Sequence, residues 1–87
     1  MSRISVKGPP GSGKIDLIVK SLEATGRPVA VFLCDQIEDY PPIKSKKGTA
    51  FILDNFDKIS EEKQVNLLRK IQERNSSNLV FTVETET

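Results

Sequence analysis

One stretch constrains this chain more than any other: Gly8-Pro9-Pro10-Gly11-Ser12-Gly13-Lys14-Ile15, which reads G-x-x-x-x-G-K followed by isoleucine. Ahead of it, Arg3-Ile4-Ser5-Val6-Lys7 alternates apolar and polar residues, the period of a strand. Behind it, Ile15, Ile18, Val19 and Leu22 recur at i, i+3, i+4 and i+7, the spacing of one helical face. A strand feeding a glycine-rich loop that opens a helix is the context a phosphate-binding loop requires. The first N–H groups of a helix have no partner within the helix, and the aligned peptide dipoles place partial positive charge there. Glycines let successive N–H groups converge on one anion, and Lys14 adds a mobile point charge for outer phosphate oxygens. The candidate phosphate-binding residues are therefore Gly8, Pro9, Pro10, Gly11, Ser12, Gly13, Lys14 and Ile15.

The length, 87 residues, suits one small domain over residues 1–87. A chain of that size buries only about 60–70% of its unfolded surface, so its core is thin. With 13 basic and 12 acidic residues, it offers no bulk electrostatic attraction for nucleic acid. The single cysteine, Cys34, excludes an internal disulfide framework and a cysteine-based zinc site, and the absence of histidine excludes histidine catalysis and ligation. No apolar run approaches the ~20 residues that span a bilayer, and the N-terminus does not read as a signal peptide. The expectation is a soluble, cytoplasmic protein with no membrane contact.

In chain order, strand one over Arg3 to Lys7 buries Ile4 and Val6 on one face. A helix follows from about Gly13 to Thr25, with Gly26 placed to stop it and Arg27-Pro28 restarting the chain extended. Val29 to Cys34 is a continuous apolar run, as in a strand covered on both faces. Asp35 to Gly48 has no clear period and reads as an exposed loop with a short helical turn near Gln36 to Asp39; its basic run, Lys44, Lys46 and Lys47, fits a solvated loop better than a nucleic-acid contact. Thr49 to Asp54 is a second buried strand, ending on a carboxylate. Ser60 opens a second helix, with Glu61 and Glu62 in its first turn. Val65, Leu68 and Ile71 form its inner stripe, Leu67 lies beside them, and Asn75-Ser76-Ser77 ends it. Asn78 to Val83 is the last strand, and Glu84 to Thr87 reads as a polar tail.

Phe51-Ile52-Leu53-Asp54 has the form of a Walker B strand, whose terminal Asp holds Mg²⁺ through water in P-loop proteins. Together the two motifs resemble the AAA+ ATPases. Gly-Pro-Pro-Gly-Ser-Gly-Lys is that group's preferred loop, and Asp54-Asn55-Phe56-Asp57 stands where the group has Asp-Glu-x-Asp. The stretch from Lys58 through Gln64, Leu67, Arg69 and Glu73 to Asn75-Ser76 is similar to the clamp-loader branch. The resemblance covers Ile4 to Thr85. It implies a small three-layer α/β core of four parallel strands in the order one, four, three, two, with one helix on each face. The group's fifth strand and helical lid have no counterpart in this sequence, which implies a truncated P-loop core or a fragment of something larger. It also implies ATP or ADP as ligand, Asp54 as the residue holding Mg²⁺ through water, and Thr85, with Glu84 as the alternative, at the sensor-1 position.

Two positions depart from that pattern. Ile15 replaces the Ser or Thr whose hydroxyl binds Mg²⁺, and Asn55 replaces the Glu that polarises the attacking water. An amide cannot take that proton, and Asp57 could act in its place only if the turn brings it round. Three readings stay open. The chain binds nucleotide with little or no hydrolysis, or is an inactive AAA+-like module docking on a larger, replication-type assembly, or is an ATPase completed by partner subunits. An open edge at strand one implies a homo-oligomer or a protein partner, with nucleic acid involved only indirectly.

Overall fold

A computed structural model describes residues 2–36, 48–74 and 79–85. The strands are β1 (Ser2–Gly8), β2 (Val29–Leu33), β3 (Ala50–Asp54) and β4 (Leu79–Thr85). The helices are α1 (Lys14–Glu23) and α2 (Glu61–Arg74), with short 3-10 turns at Cys34–Gln36 and Phe56–Lys58. The four strands form one sheet in the order β1-β4-β3-β2, with every neighbouring pair parallel, the arrangement that the resemblance implies.

Alternation along the central strands explains the layers. Ala50 and Ile52 of β3 and Val83 of β4 face one side, where Leu22 of α1 packs with Ile15, Ile18 and Val19. Phe51 and Leu53 of β3 and Val80 of β4 face the other, where Leu67 and Ile71 of α2 pack with Phe56 and Cys34. The connection from β1 to β2 crosses the sheet in one direction, and the return from β3 to β4 runs in the other. Crossovers of one hand then require the two helices to lie on opposite faces. Ala50 to Leu53 are all buried, because β3 has a strand on each side and a helix-facing cluster on each face.

Helix ends follow their local chemistry. Gly13 precedes α1, and Ala24 caps it, one residue short of the expected Thr25. The N–H of Gly26 donates to the Glu23 carbonyl, and Gly26 adopts φ 74, closing the helix as its position implies. Ser60 accepts from the Lys63 N–H at 3.3 Å through its hydroxyl, the cap expected for α2.

Several expectations shift. The apolar run Val29–Cys34 is not covered on both faces: Val31 is 46% and Leu33 41% exposed, and Cys34 leaves the strand for the 3-10 turn. A continuous apolar run reports burial on at least one face, and here Ala30 and Phe32 supply it on the α2 side, with the Phe32 and Phe51 rings stacked 6.0 Å apart. On β1, Val6 packs against the α1 cluster, but Ile4 is 45% exposed. In α2, Val65 is 48% exposed and Leu67 is fully buried, so the stripe runs Gln64, Leu67, Leu68, Ile71. Gln64 fits that inner line because its amide N–H group donates to the Phe56 carbonyl at 2.9 Å and the Ile59 carbonyl at 3.3 Å.

Glu84 and Thr85 belong to β4 rather than to a tail. Lys7 lies opposite Glu84 in the register and pairs with it at 3.4 Å, while Thr85 lies opposite Gly8. The expected turn at 75–77, the basic residues at 44–47 and the end of the helical turn at 37–39 lie outside the described residues. Among the described residues, no helix is long and apolar enough to cross a membrane.

Candidate functional site

The Gly8–Ile15 loop leaves β1 at the carboxyl end of the sheet. In open parallel α/β sheets ligands bind outside those ends. Gly11 and Gly13 have φ 74 and 72, left-handed values that a side chain would strain. Gly13 is the N-cap of α1 and offers no side-chain cap, so the first-turn N–H groups are not closed off by a hydroxyl or carboxylate from the cap position. The Lys14 ammonium donates to the Pro9 carbonyl at 3.3 Å, folded over its own loop, and it is exposed enough to exchange that contact for an anion. A Cβ at Gly8 would meet Lys14 Cδ at 3.4 Å and the Ser12 hydroxyl at 3.5 Å, a measure of how closely the loop closes on its first glycine.

The loop forms one wall of an open cleft of ≈ 280 Å³. Pro10, Gly11, Ser12, Gly13, Lys14 and Ile15 line it from the loop, and Asp54, Asn55 and Thr85 line it from the ends of β3 and β4. Residues far apart in sequence but marked as one site thus meet in one place. Gly8 and Pro9 lie at the loop's base, outside the lining. Glu84 does not line the cleft and pairs instead with Lys7. Asp57 does not line it either; it is exposed in the 3-10 turn Phe56–Lys58, so the turn does not bring it to the loop.

Ile15, where the resemblance implies a hydroxyl, is half-buried and packs into the α1 core cluster. Asn55 has φ 54 and is, among the described residues, the only non-glycine in the left-handed region. Asparagine tolerates that region better than most side chains, which supplies a backbone reason for its presence beside Asp54. Its backbone N–H donates to Asp54 Oδ1 at 2.9 Å, and its side-chain Nδ2 donates to Asp35 Oδ1 at 3.2 Å.

The sequence reading missed two residues. Asp16, in the first turn of α1, also lines the cleft. It follows directly on the loop motif, which is the signal that would have found it. Asp35 reaches Asn55 from the end of β2, and no spacing in the sequence announces a contact 20 residues away. Asp54 lines the cleft from the end of β3, whereas Asp35 touches it only through Asn55. Burial, then the charges of Asp54 and Asp35, push the Cys34 thiol up to about 11, so Cys34 is a protonated core thiol at neutral pH and not a nucleophile.

The cleft therefore pairs a donor wall with an acceptor wall. The loop N–H groups and Lys14 suit phosphate oxygens. Asp54, the Asn55 amide oxygen and the Thr85 hydroxyl suit a hydrated divalent cation; Ile15 adds nothing to it. Among the described residues no three His, Cys, Asp or Glu side chains gather as a metal cage, so a cation here would need phosphate oxygens and water to complete its shell, as Mg²⁺ commonly does.

The backbone at Asn55 gives a direct test. Asn55→Ala and Asn55→Gly both remove the bond to Asp35, so their difference isolates the left-handed conformation. The glycine variant is expected to be more stable by about 1 kcal/mol in urea unfolding. An alanine variant as stable as the glycine one would mean that position 55 is not held at positive φ.

No protein-family model, curated protein or solved structure gives a significant match to this chain.

Proposed function

We propose that this chain binds ATP or ADP through a phosphate-binding loop of the AAA+ kind and hydrolyses it slowly or not at all. The observation that carries the reading is the meeting of Gly11 to Ile15 with Asp54, Asn55 and Thr85 around one cleft. The triphosphate would lie along the loop N–H groups with Lys14 at its outer oxygens. Asp54 would hold Mg²⁺ through water, and Thr85 would face the outer phosphate from the end of β4. Magnesium, when bound, would neutralise phosphate charge and help fix its geometry.

Weak turnover follows from the two departures. Ile15 supplies no metal ligand. Asn55 supplies no base, and its amide N–H group is already engaged with Asp35. Phosphoryl transfer depends on positioning and charge stabilisation, and both are reduced here, whereas the donors that bind phosphate are intact.

A second reading, a docking module, is favoured by the edge at β2. Val31 and Leu33 leave an apolar strip there, and β2 carries no charged residue to discourage pairing. Strand β1, the edge expected to associate, carries Arg3 and Lys7 instead. The two readings are compatible, and a homo-oligomer or protein partner would engage β2 rather than β1.

Thermal unfolding tests the first reading. A nucleotide present at about 100 times its dissociation constant adds ~2.7 kcal/mol, enough to raise the melting temperature of a domain this size by about 10–20 °C. ATP and ADP are expected to protect and adenosine is not. Equal melting temperatures with and without nucleotide would leave only the docking reading.

A further inference from the structure

Asn55 lines the loop cleft, while Asp35 lines a neighbouring cleft of ≈ 380 Å³ with Cys34, Lys58 and Ser60. The Asn55–Asp35 hydrogen bond crosses the wall between them. A carboxylate can only accept, so the group it meets on Asn55 is the amide N–H and not the oxygen. The bond therefore occupies the N–H end of the amide and leaves Oδ1, an acceptor, as the end not engaged with Asp35. The backbone N–H of Asn55 is fixed in turn on Asp54 Oδ1. Freed from Asp35, the amide could turn and offer its N–H group to the same cleft, placing a donor where the acceptor wall now stands.

We propose that Asp35 is a positioning residue for nucleotide binding: it holds the Asn55 amide oxygen beside Asp54, facing the hydrated divalent cation that accompanies the phosphates. The proposal rests on the nucleotide reading above and adds to it a preference for the metal-complexed over the metal-free nucleotide. It also gives Asn55 a role at a position where it cannot act as a base. The acceptor wall compensates in part for the hydroxyl missing at Ile15, by holding water on the cation rather than the cation itself.

Calorimetric titration of the full chain with ATP, with and without Mg²⁺, reads the effect as a ratio of affinities. A general loss of stability would not change that ratio. Asp35→Ala is expected to lower the gain in ATP affinity from Mg²⁺ by about two- to tenfold, the range of one hydrogen bond, and to leave Mg²⁺-free affinity unchanged. Asp35→Asn keeps an oxygen that accepts from the Asn55 amide and is expected to keep the gain. In an Asn55→Ala background, Asp35→Ala is expected to have no further effect.

An unchanged ratio in Asp35→Ala would overturn the proposal. So would an Asp35→Asn variant that behaves like Asp35→Ala, since charge rather than the bond would then be at work. A wild-type chain with Lys14-dependent ATP binding but no gain from Mg²⁺ would overturn this proposal alone. A wild-type chain with no ATP binding would overturn it together with the nucleotide reading. Because Asp35 is exposed, its variants are expected to retain the wild-type unfolding transition; should Asp35→Ala lose it, the Asp35→Asn and Asn55→Ala chains decide the matter by whether they keep and lose the gain, respectively.

Discussion

Phe51→Ala is expected to lower the free energy of unfolding by about 3–5 kcal/mol, the cost of removing a large buried ring and leaving a cavity. Phe51 is 1% exposed on the most enclosed strand, stacks on Phe32 and packs in the cluster that joins β3 and β4 to α2. A small domain holds only about 5–15 kcal/mol in total, so this single change takes a large share. Val65→Ala in α2 is expected to stay within about 0.5 kcal/mol of wild type, because that side chain is 48% exposed. Urea unfolding of both variants measures the contrast. A mild Phe51→Ala together with a costly Val65→Ala would mean that α2 packs with the other face inward.

Lys14→Ala is expected to weaken ATP binding by about 1–3 kcal/mol, the usual cost of losing a charged hydrogen-bond donor. In the structure the ammonium rests on the Pro9 carbonyl, a neutral and exposed partner at 3.3 Å. An anion outcompetes that carbonyl, since a full negative charge attracts the ammonium more strongly than a carbonyl dipole does. The same replacement costs the fold little, because the bond to Pro9 is at the surface and α1 keeps its apolar face through Ile15, Ile18, Val19 and Leu22. Calorimetry with ATP and unfolding without it separate the two effects: affinity falls and stability does not. Matching affinities in the two chains would remove Lys14 from the site.

The strands and helices themselves were legible because each is set by short-range pattern, whereas the strand order and the helix on each face were implied by the resemblance to AAA+ ATPases. A strand, a glycine-rich turn and a helix with one apolar face leave little choice at the start of the chain. The apolar run Ala50–Leu53 can be buried only at the centre of a sheet. The cleft was legible in the same way, since the loop and the Asp54 strand end are both motif-borne and strands in a parallel sheet end together.

What was hidden depends on pairings across the fold. The continuous run at β2 does not reveal that its α1-side face stays open at Val31 and Leu33. The inner stripe of α2 was misjudged by one or two positions: Gln64 is polar, and its place among the inward residues depends on carbonyls at Phe56 and Ile59 that only the fold supplies. Glu84 reads as tail until Lys7 is seen opposite it in the register. Asn55 reads as a lost glutamate until its positive φ and its bond to Asp35 are known.

The central claim is that phosphate is held by the backbone at the start of α1. Amide-resolved nuclear magnetic resonance during titration with ATP tests it most directly. The largest shifts are expected at the N–H groups of Gly11, Ser12, Gly13, Lys14 and Ile15, with smaller ones at Asn55 and Thr85 across the cleft. Shifts centred on β2 or α2, with the loop amides unmoved at saturating ATP, would contradict the account.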